Sequence, residues 1–193
     1  MSENLEITIY QYSRQGRKIE YSSLQNERSH FDPEDYNAEF FWGATGGISI
    51  KVENYKVILD CDEFYVALRA IDFLLQSLAW IYETELNWLD LDVKHPDDVA
   101  IRFQSGNILR LAKFDQKSLA LSYVPQGLQY TNQRGDSFFR NHHISKEAWA
   151  SATKIALSEY FDVIDHVTCM DHGDQSSQIL SDYSEAWKKL NNQ

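Results

Sequence analysis

Residues 63–83 read EFYVALRAIDFLLQSLAWIYE, and this stretch decides the fold. Its apolar residues recur at steps of three and four, and further apolar residues fill much of the remaining circumference. A helix that is apolar around most of its surface is buried on most of its surface. Asp62 is a favourable N-cap, and Glu63 suits the positive start of a helix. The sequence therefore predicts a long, central, buried helix from Glu63 to Glu83.

The residues before this helix alternate between apolar and polar side chains, which is the period of a β-strand. Glu53-Asn54 separates two of the alternating runs by only two residues, and Asn tolerates the positive φ of a tight hairpin turn. The pattern predicts two antiparallel hairpins, formed by strands at Leu5–Tyr10, Ile19–Tyr21, Ile48–Val52 and Tyr55–Leu59.

Alternation returns after the helix. Ser105-Gly106-Asn107 and Asp115-Gln116-Lys117 are short polar connections between strands, which is typical of an antiparallel meander. The predicted strands are Trp88–Asp92, Val99–Phe103, Ile108–Leu111 and Leu119–Tyr123. The segment from Val124 to Ser145 is polar and is predicted to be a loop.

Two amphipathic helices are predicted at the end of the sequence. Ser145 is expected to cap the first and Ser177 the second, with Lys188-Lys189 suiting the C-terminus of the latter. The first should bury one face made of Trp149, Ala152, Ile155, Ala156, Tyr160 and Ile164. These elements predict an α+β fold: a mostly antiparallel hairpin-linked sheet packed on a long central buried helix, with two C-terminal amphipathic helices, in a single domain spanning 1–193.

Composition indicates a cytoplasmic protein. Apolar residues make up 43% and aromatic residues 13% of the 193 residues, enough for a sizeable core. The longest apolar stretch contains Arg69 and Asp72, which disfavours a membrane helix. No apolar leader follows Met1, and the two cysteines, Cys61 and Cys169, are interpreted as reduced thiols.

The net charge of −11 is unevenly distributed. Residues 53–98 contain 11 acidic and 3 basic residues, whereas residues 99–140 contain 2 acidic and 6 basic ones. An acidic surface repels nucleic acid and anionic lipid and attracts basic proteins. The charge therefore favours a basic protein partner and disfavours nucleic acid and membrane, although acidity also serves solubility alone.

The acidic residues of segment 53–98 form the predicted partner-binding site. Asp90 and Asp92 are two apart and share one strand face, while Leu89 and Leu91 take the buried face. If the strand lies near the helix start, the carboxylates merge into one exposed patch. The predicted set is Asp60, Asp62, Glu63, Asp90, Asp92, Asp97 and Asp98.

A second cluster at residues 166–174 carries the alternative, a small hydrolase or metal-dependent enzyme. His166, Cys169 and His172 are ligand types that Zn²⁺ accepts, and Cys169 with His172 could form a nucleophile and base. The spacing H-x₂-C-x₂-H matches no standard metal pattern, however, and no C-x-x-C knuckle is present. We therefore predict no metal and no cofactor.

Two further stretches give weaker functional signals. Phe41–Gly47 is glycine-rich, but it precedes a strand instead of the helix that a phosphate loop requires. Tyr130–His143 mixes Arg, His and aromatic residues, which are frequent anchors of protein interfaces.

These observations favour a non-enzymatic, acidic protein that binds and inhibits a basic partner. Immunity proteins that neutralise nuclease-type toxins in bacteria are small, acidic and cytosolic, and this chain is similar to them in size and composition.

Overall fold

The computed structural model describes residues 4–13, 16–21, 38–52, 55–64, 67–86, 93–95, 97–102, 106–124, 139–167 and 175–193. These residues form nine strands and four helices. The strands lie in antiparallel sheets and the helices occur among and after them, which confirms the α+β class.

The first sheet contains four strands in the order β2-β1-β3-β4. They are β1 (Leu5–Tyr12), β2 (Lys18–Glu20), β3 (Gly46–Val52) and β4 (Tyr55–Phe64). Both predicted hairpins are confirmed, since β1 pairs with β2 and β3 with β4. The hairpins are joined because β1 also pairs with β3, so that Ile7 lies opposite Ile50.

The second sheet is a five-stranded meander in sequence order. Its strands are β5 (Val93–His95), β6 (Asp98–Arg102), β7 (Ile108–Lys113), β8 (Ser118–Val124) and β9 (Phe139–Ser145). The division of the strands into two sheets is a property that the hairpin pattern leaves open. The predicted strand Trp88–Asp92 lies outside the described residues.

Strand β9 corrects the prediction of a loop up to Ser145. It pairs with β8, with His143 opposite Ala120. The register shifts between Leu121 and Tyr123, and Asn141 there has a φ of 52°. The amide of Asn141 donates to Ser122 Oγ at 2.9 Å, so that the bulge is held by a side chain. Because of this bulge, the alternation of apolar and polar residues that predicts a strand is interrupted in the sequence.

Four helices complete the described fold: α1 (Ala38–Gly43), α2 (Leu68–Ile81), α3 (Lys146–Val167) and α4 (Gln175–Asn191). Ser145 caps α3 as predicted, because its Oγ accepts the amide of Ala148 at 3.0 Å. Ser177 does not cap α4, since the helix already begins at Gln175. None of the helices in these ranges is long and apolar enough to cross a membrane.

The central helix is α2, and it begins later than predicted. Asp62 and Glu63 belong to β4, where Phe64 pairs with Gly46, so that neither residue starts the helix. Pairing with β3 carries the strand through the predicted capping position. Ala67 precedes α2 without a side-chain cap, and its amide donates to the carbonyl of Ala44 at 2.6 Å.

The burial of α2 is confirmed. Ten of its 14 residues are buried, and Ile71, Phe73, Leu74, Leu75 and Leu78 have no solvent exposure. It contacts β4, β6, α3 and α4. Its apolar side chains join those of both sheets in one buried cluster, so α2 occupies the centre of the core.

Candidate functional site

The predicted acidic site is divided between several environments. Asp60, Asp62 and Glu63 lie on β4, at one edge of the first sheet, and Asp60 pairs with Ser49. Their side chains lie outside the description, as do Asp90 and Asp92 entirely. Asp97 is exposed, and its carbonyl accepts the amide of Lys113 at 2.8 Å.

Asp98 is buried, which corrects its predicted exposure. Only 8% of its surface is accessible, and Arg110 Nε donates to its Oδ2 at 2.7 Å. Arg110 opposes Ala100 on the adjacent strand, two residues along from Asp98, so both side chains lie on the same sheet face. Asp98 therefore pairs within the fold and leaves the set of exposed carboxylates.

The predicted patch is described at two places, the end of β4 and Asp97, and these are connected to different ends of α2. Phe64, at the end of β4, pairs with Gly46, and a Cβ at Gly46 would lie 2.9 Å from Ala67 at the start of α2. At the other end, Lys113, whose amide is bound by Asp97, places its Nζ 5.8 Å from the ring centroid of Trp80. An α-helix of 14 residues is about 20 Å long. Strand β4 therefore leads to the start of α2, whereas Asp97 adjoins the strand whose Lys113 reaches the helix end.

A different acidic surface is described in full. It comprises Ile155, Glu159 and Asp162 on α3, with Glu6 of β1 and Glu20 of β2 close enough for their charges to act on Glu159; we call it the acidic helix face. The three α3 residues are spaced four and three apart and so share one side of the helix. Helix α3 packs against β1, and the charges of the strand carboxylates reach Glu159.

The carboxylates of this face influence one another. Partial burial raises the pKa of Glu159, and the negative charges of Glu6 and Glu20 raise it further. Lys51 Nζ lies 3.3 Å from Glu6 Oε1 and offsets part of this charge. The face therefore holds four carboxylates, with Lys51 beside Glu6 and Lys18 on the same strand face as Glu20.

Ile155 lies on this acidic side, and its predicted burial is wrong. Its side chain is 59% exposed, whereas Ala152 and Ala156 are buried as expected. Sequence reasoning missed Glu6, Glu20, Glu159 and Asp162 as site residues because they are spread over the chain. A helical wheel of α3 does reveal Ile155 beside Glu159, since four residues separate them.

The metal hypothesis is not tested by the structure. His166 lies within α3, but its side chain, together with Cys169 and His172, is outside the described part. In the ranges that are described, no group of three His, Cys, Asp or Glu side chains could hold a metal ion. The alternative site at 166–174 stays a prediction.

The aromatic segment Tyr130–His143 is described only from Phe139, where it forms β9. His143 is exposed, and its ring centroid lies 3.9 Å from that of Phe114. Phe114 is itself 57% exposed. This pair forms a small aromatic surface at the β7–β8 turn.

Two open cavities occur among the described residues. One, of about 420 Å³, is uncharged and lies beside Trp42 and Gly43, in the glycine-rich stretch that leads into β3 as predicted. The other, of about 440 Å³, lies between the end of α2, the β7–β8 turn and the start of α3. Its lining contains Trp80, Ile81, Glu83, Lys113, Asp115, Gln116 and Lys146.

Buried tyrosines join the first sheet to the helices. Tyr21 donates a hydrogen bond to Gln11, and its ring centroid lies 4.7 Å from that of Tyr160. Tyr183 donates to Asp72. Burial raises the pKa of all three phenols, so they remain neutral at physiological pH.

A comparison of the chain with protein-family models, with curated proteins and with solved structures finds no match.

Proposed function

We propose that this protein binds a basic partner protein through the acidic helix face. The observation that supports the proposal is that the charges of Glu6 and Glu20, on two strands, act on Glu159, which lies on the same side of α3 as the exposed Ile155. The proposed activity is binding and inhibition of that partner, without catalysis of a reaction.

The carboxylates of the acidic helix face repel one another, and a basic partner would remove this repulsion. The raised pKa of Glu159 records repulsion from Glu6 and Glu20 in addition to partial burial. Acidity that served solubility alone could be spread over the surface without such repulsion. A lysine or arginine placed among these carboxylates would convert the repulsion into attraction.

Ile155 gives the acidic helix face an apolar side chain that a partner could bury. Protein interfaces combine a less polar centre, which is desolvated on binding, with a polar rim. A large aliphatic side chain that is 59% exposed beside carboxylates matches this arrangement on a small scale. We therefore expect the partner to cover Ile155 with an apolar group and to surround it with basic side chains.

The remaining acidic residues would act at longer range. With a net charge of −11, the molecule attracts a cationic protein before contact and accelerates its association. Asp60, Asp62, Glu63, Asp90, Asp92 and Asp97 stay predicted members of the partner-binding surface on this basis. Asp98 is excluded because Arg110 already neutralises it.

The partner class that we propose is a basic, nuclease-type toxin, with this chain acting as its cytoplasmic immunity protein in a bacterium. A nuclease binds a polyanion, so its active surface is basic and complementary to clustered carboxylates. The alternative, a metal-dependent enzyme at residues 166–174, is favoured by no observation on the described residues.

The test is a binding measurement on two charge-reversed double variants. The immobilised protein is used to recover a basic partner from its source cells, and the purified partner is then measured by surface plasmon resonance. Glu159→Lys with Asp162→Lys alters the acidic helix face. Asp182→Lys with Glu185→Lys, on α4, makes the same change in net charge elsewhere and serves as the control.

We expect the first double variant to slow association by about tenfold at low salt, with a smaller effect at physiological salt. The control should slow it much less, and Ile155→Ala should mainly speed dissociation. Equal effects of both double variants would show that the charge acts without a defined site. Failure to recover any basic partner that binds the purified protein would contradict the proposed function itself.

A further inference from the structure

The cavity at the end of α2 contains two positive and two negative side chains around one indole ring. Trp80 is half-buried and Ile81 lies next to it at the last turn of the helix. The charges come from three other places in the chain: Glu83 after α2, Lys113 and Asp115 at the β7–β8 turn, and Lys146 at the start of α3. We call Lys113 and Lys146 the cation pair, and Glu83 and Asp115 the carboxylate pair.

One member of each pair is held in place by the fold. Asp115 Oδ1 accepts the amides of Lys117 and Ser118 at 2.7 Å and 2.8 Å. Hydrogen bonds from Ser118 and from the Lys117 amide lower the pKa of Asp115, which therefore stays ionised at physiological pH. Lys146 Nζ donates to the carbonyl of Gln116 at 2.7 Å, and its positive charge also contributes to the lowered pKa of Asp115.

The other two members, Lys113 and Glu83, are exposed and carry opposite charges. Neither Lys113 nor Glu83 forms an ion pair with another residue of the described ranges. Lys113 instead lies over the Trp80 ring. The cavity thus presents an available ammonium and an available carboxylate at the same time.

The backbone directs Glu83 into this position by an uncommon conformation. Glu83 has a φ of 54°, and the amide of Thr84 donates to the carbonyl of Ala79 at 2.7 Å, which closes the helix as a C-terminal cap. Glycine fills this left-handed position most easily. A glutamate here points to a role for its side chain that glycine could not perform.

We propose that this cavity binds a small zwitterion, either a free amino acid or a short peptide, with an apolar side chain. The cation pair receives the ligand carboxylate, and the carboxylate pair receives its ammonium group. The ligand side chain packs on Trp80 and Ile81. A volume of about 440 Å³ lies in the range of small-molecule sites in proteins.

The balance of charges selects this class over simpler ions. An anion would be attracted by the cation pair but repelled by the carboxylate pair, and a cation would meet the reverse. Only a ligand that carries both charges satisfies both pairs. The site is separate from the acidic helix face, and the inference does not depend on the proposed partner.

The test is an NMR titration of the full-length chain, followed at the indole N–H of Trp80. This signal is one of five tryptophan signals and is assigned with a Trp80→Phe variant. The probes are L-leucine, L-phenylalanine and the dipeptide Leu-Leu, with N-acetyl-L-leucine and L-leucinamide as analogues that lack one charge. We expect the zwitterions to shift the signal in the millimolar range or below, and each blocked analogue to bind at least about tenfold more weakly.

Tighter binding of L-leucine or L-phenylalanine would identify a free amino acid as the ligand, and tighter binding of Leu-Leu would identify a peptide. Lys113→Met and Glu83→Gln should each weaken binding about tenfold, whereas Lys188→Met and Glu185→Gln, which alter exposed charges on α4, should not. The proposal is overturned if no zwitterion shifts the Trp80 signal at millimolar concentration. It is equally overturned if the blocked analogues bind as tightly as L-leucine.

Discussion

The indole Nε1–H of Trp149 donates a hydrogen bond to Ser77 Oγ at 2.9 Å, and neither residue is accessible to solvent. Ser77 in turn donates to the carbonyl of Leu74 at 2.8 Å. The first bond connects α3 to α2 through the apolar core, and the second lies within α2. They explain why the buried side of α2 contains a serine at this point, since a buried indole N–H requires an acceptor.

Ser77→Ala should destabilise the protein by about 1–3 kcal/mol, because it leaves the Trp149 N–H buried without its acceptor. The free energy of unfolding is measured in urea. Adding Trp149→Phe to Ser77→Ala should cost less than the sum of the two single changes, because the second change removes the unsatisfied donor. Additive losses would show that the hydrogen bond contributes nothing.

Leu75→Ala and Ile155→Ala should differ strongly in their effects on stability. Leu75 is fully buried in α2, and its truncation should cost about 2–5 kcal/mol. Ile155 is exposed on α3, so its truncation should change the unfolding free energy by only about 0.5 kcal/mol. Thermal and urea unfolding provide the comparison, and a large loss with Ile155→Ala would contradict its placement on the surface.

Gly46→Ala should destabilise the protein by about 1–3 kcal/mol, since the added methyl group would overpack the junction between β1 and the start of α2. A Cβ at this position would collide with the carbonyl oxygen of Tyr10 and lie 2.9 Å from Ala67 Cβ. Gly43→Ala is the matched control, because a Cβ there meets no atom within 4 Å. Equal melting temperatures of the two variants would refute the close approach at Gly46.

Glu159→Gln should change how stability depends on pH. The pKa of Glu159 is raised in the folded protein above its ordinary value of 4.5. Protonated Glu159 therefore stabilises the folded protein below pH 4.5. This contribution to the free energy of unfolding is lost as the pH rises through the raised pKa of the folded state. Glutamine does not ionise, so the variant does not lose this contribution. Its free energy of unfolding relative to wild type should therefore increase as the pH rises from 4.5 through the raised pKa of Glu159. Unfolding in urea at several pH values measures the difference.

Removing Glu6 provides the control for this prediction. Glu6→Gln should lower the pKa of Glu159, because it removes one of the two negative charges that raise it. An NMR titration of the Glu159 carboxyl group follows this shift directly. An unchanged titration would show that Glu6 is not electrostatically coupled to Glu159.

Strands that pair with their neighbours in sequence were predictable from local pattern. The meander β6–β7–β8 agrees with the predicted strands to within two residues at each end, since its short polar turns join alternating runs. The start of α2 was not predictable in this way. Asp62 is a good N-cap by local chemistry, but the pairing of Phe64 with Gly46 extends β4 past it. That competition depends on residues distant in sequence.

The candidate site was predictable only in its overall sign of charge. The concentration of carboxylates in residues 53–98 is visible in the sequence, but the burial of Asp98 depends on Arg110 in the next strand. The charges of Glu6 and Glu20 act on Glu159 in a fold that packs α3 against β1, which no local pattern contains. The cavity beside Trp80 is likewise formed by three segments that only the tertiary structure brings together.

The position of β1 sets an order on folding during synthesis. Leu5 pairs with Val52, and α3, which packs on the same strand, begins only at Lys146. A growing chain can therefore form the β3–β4 hairpin early, but the first strand stays without its helix cover until most of the molecule has left the ribosome. Such long-range closure slows folding and leaves the apolar side of β1 open to chaperones in the meantime.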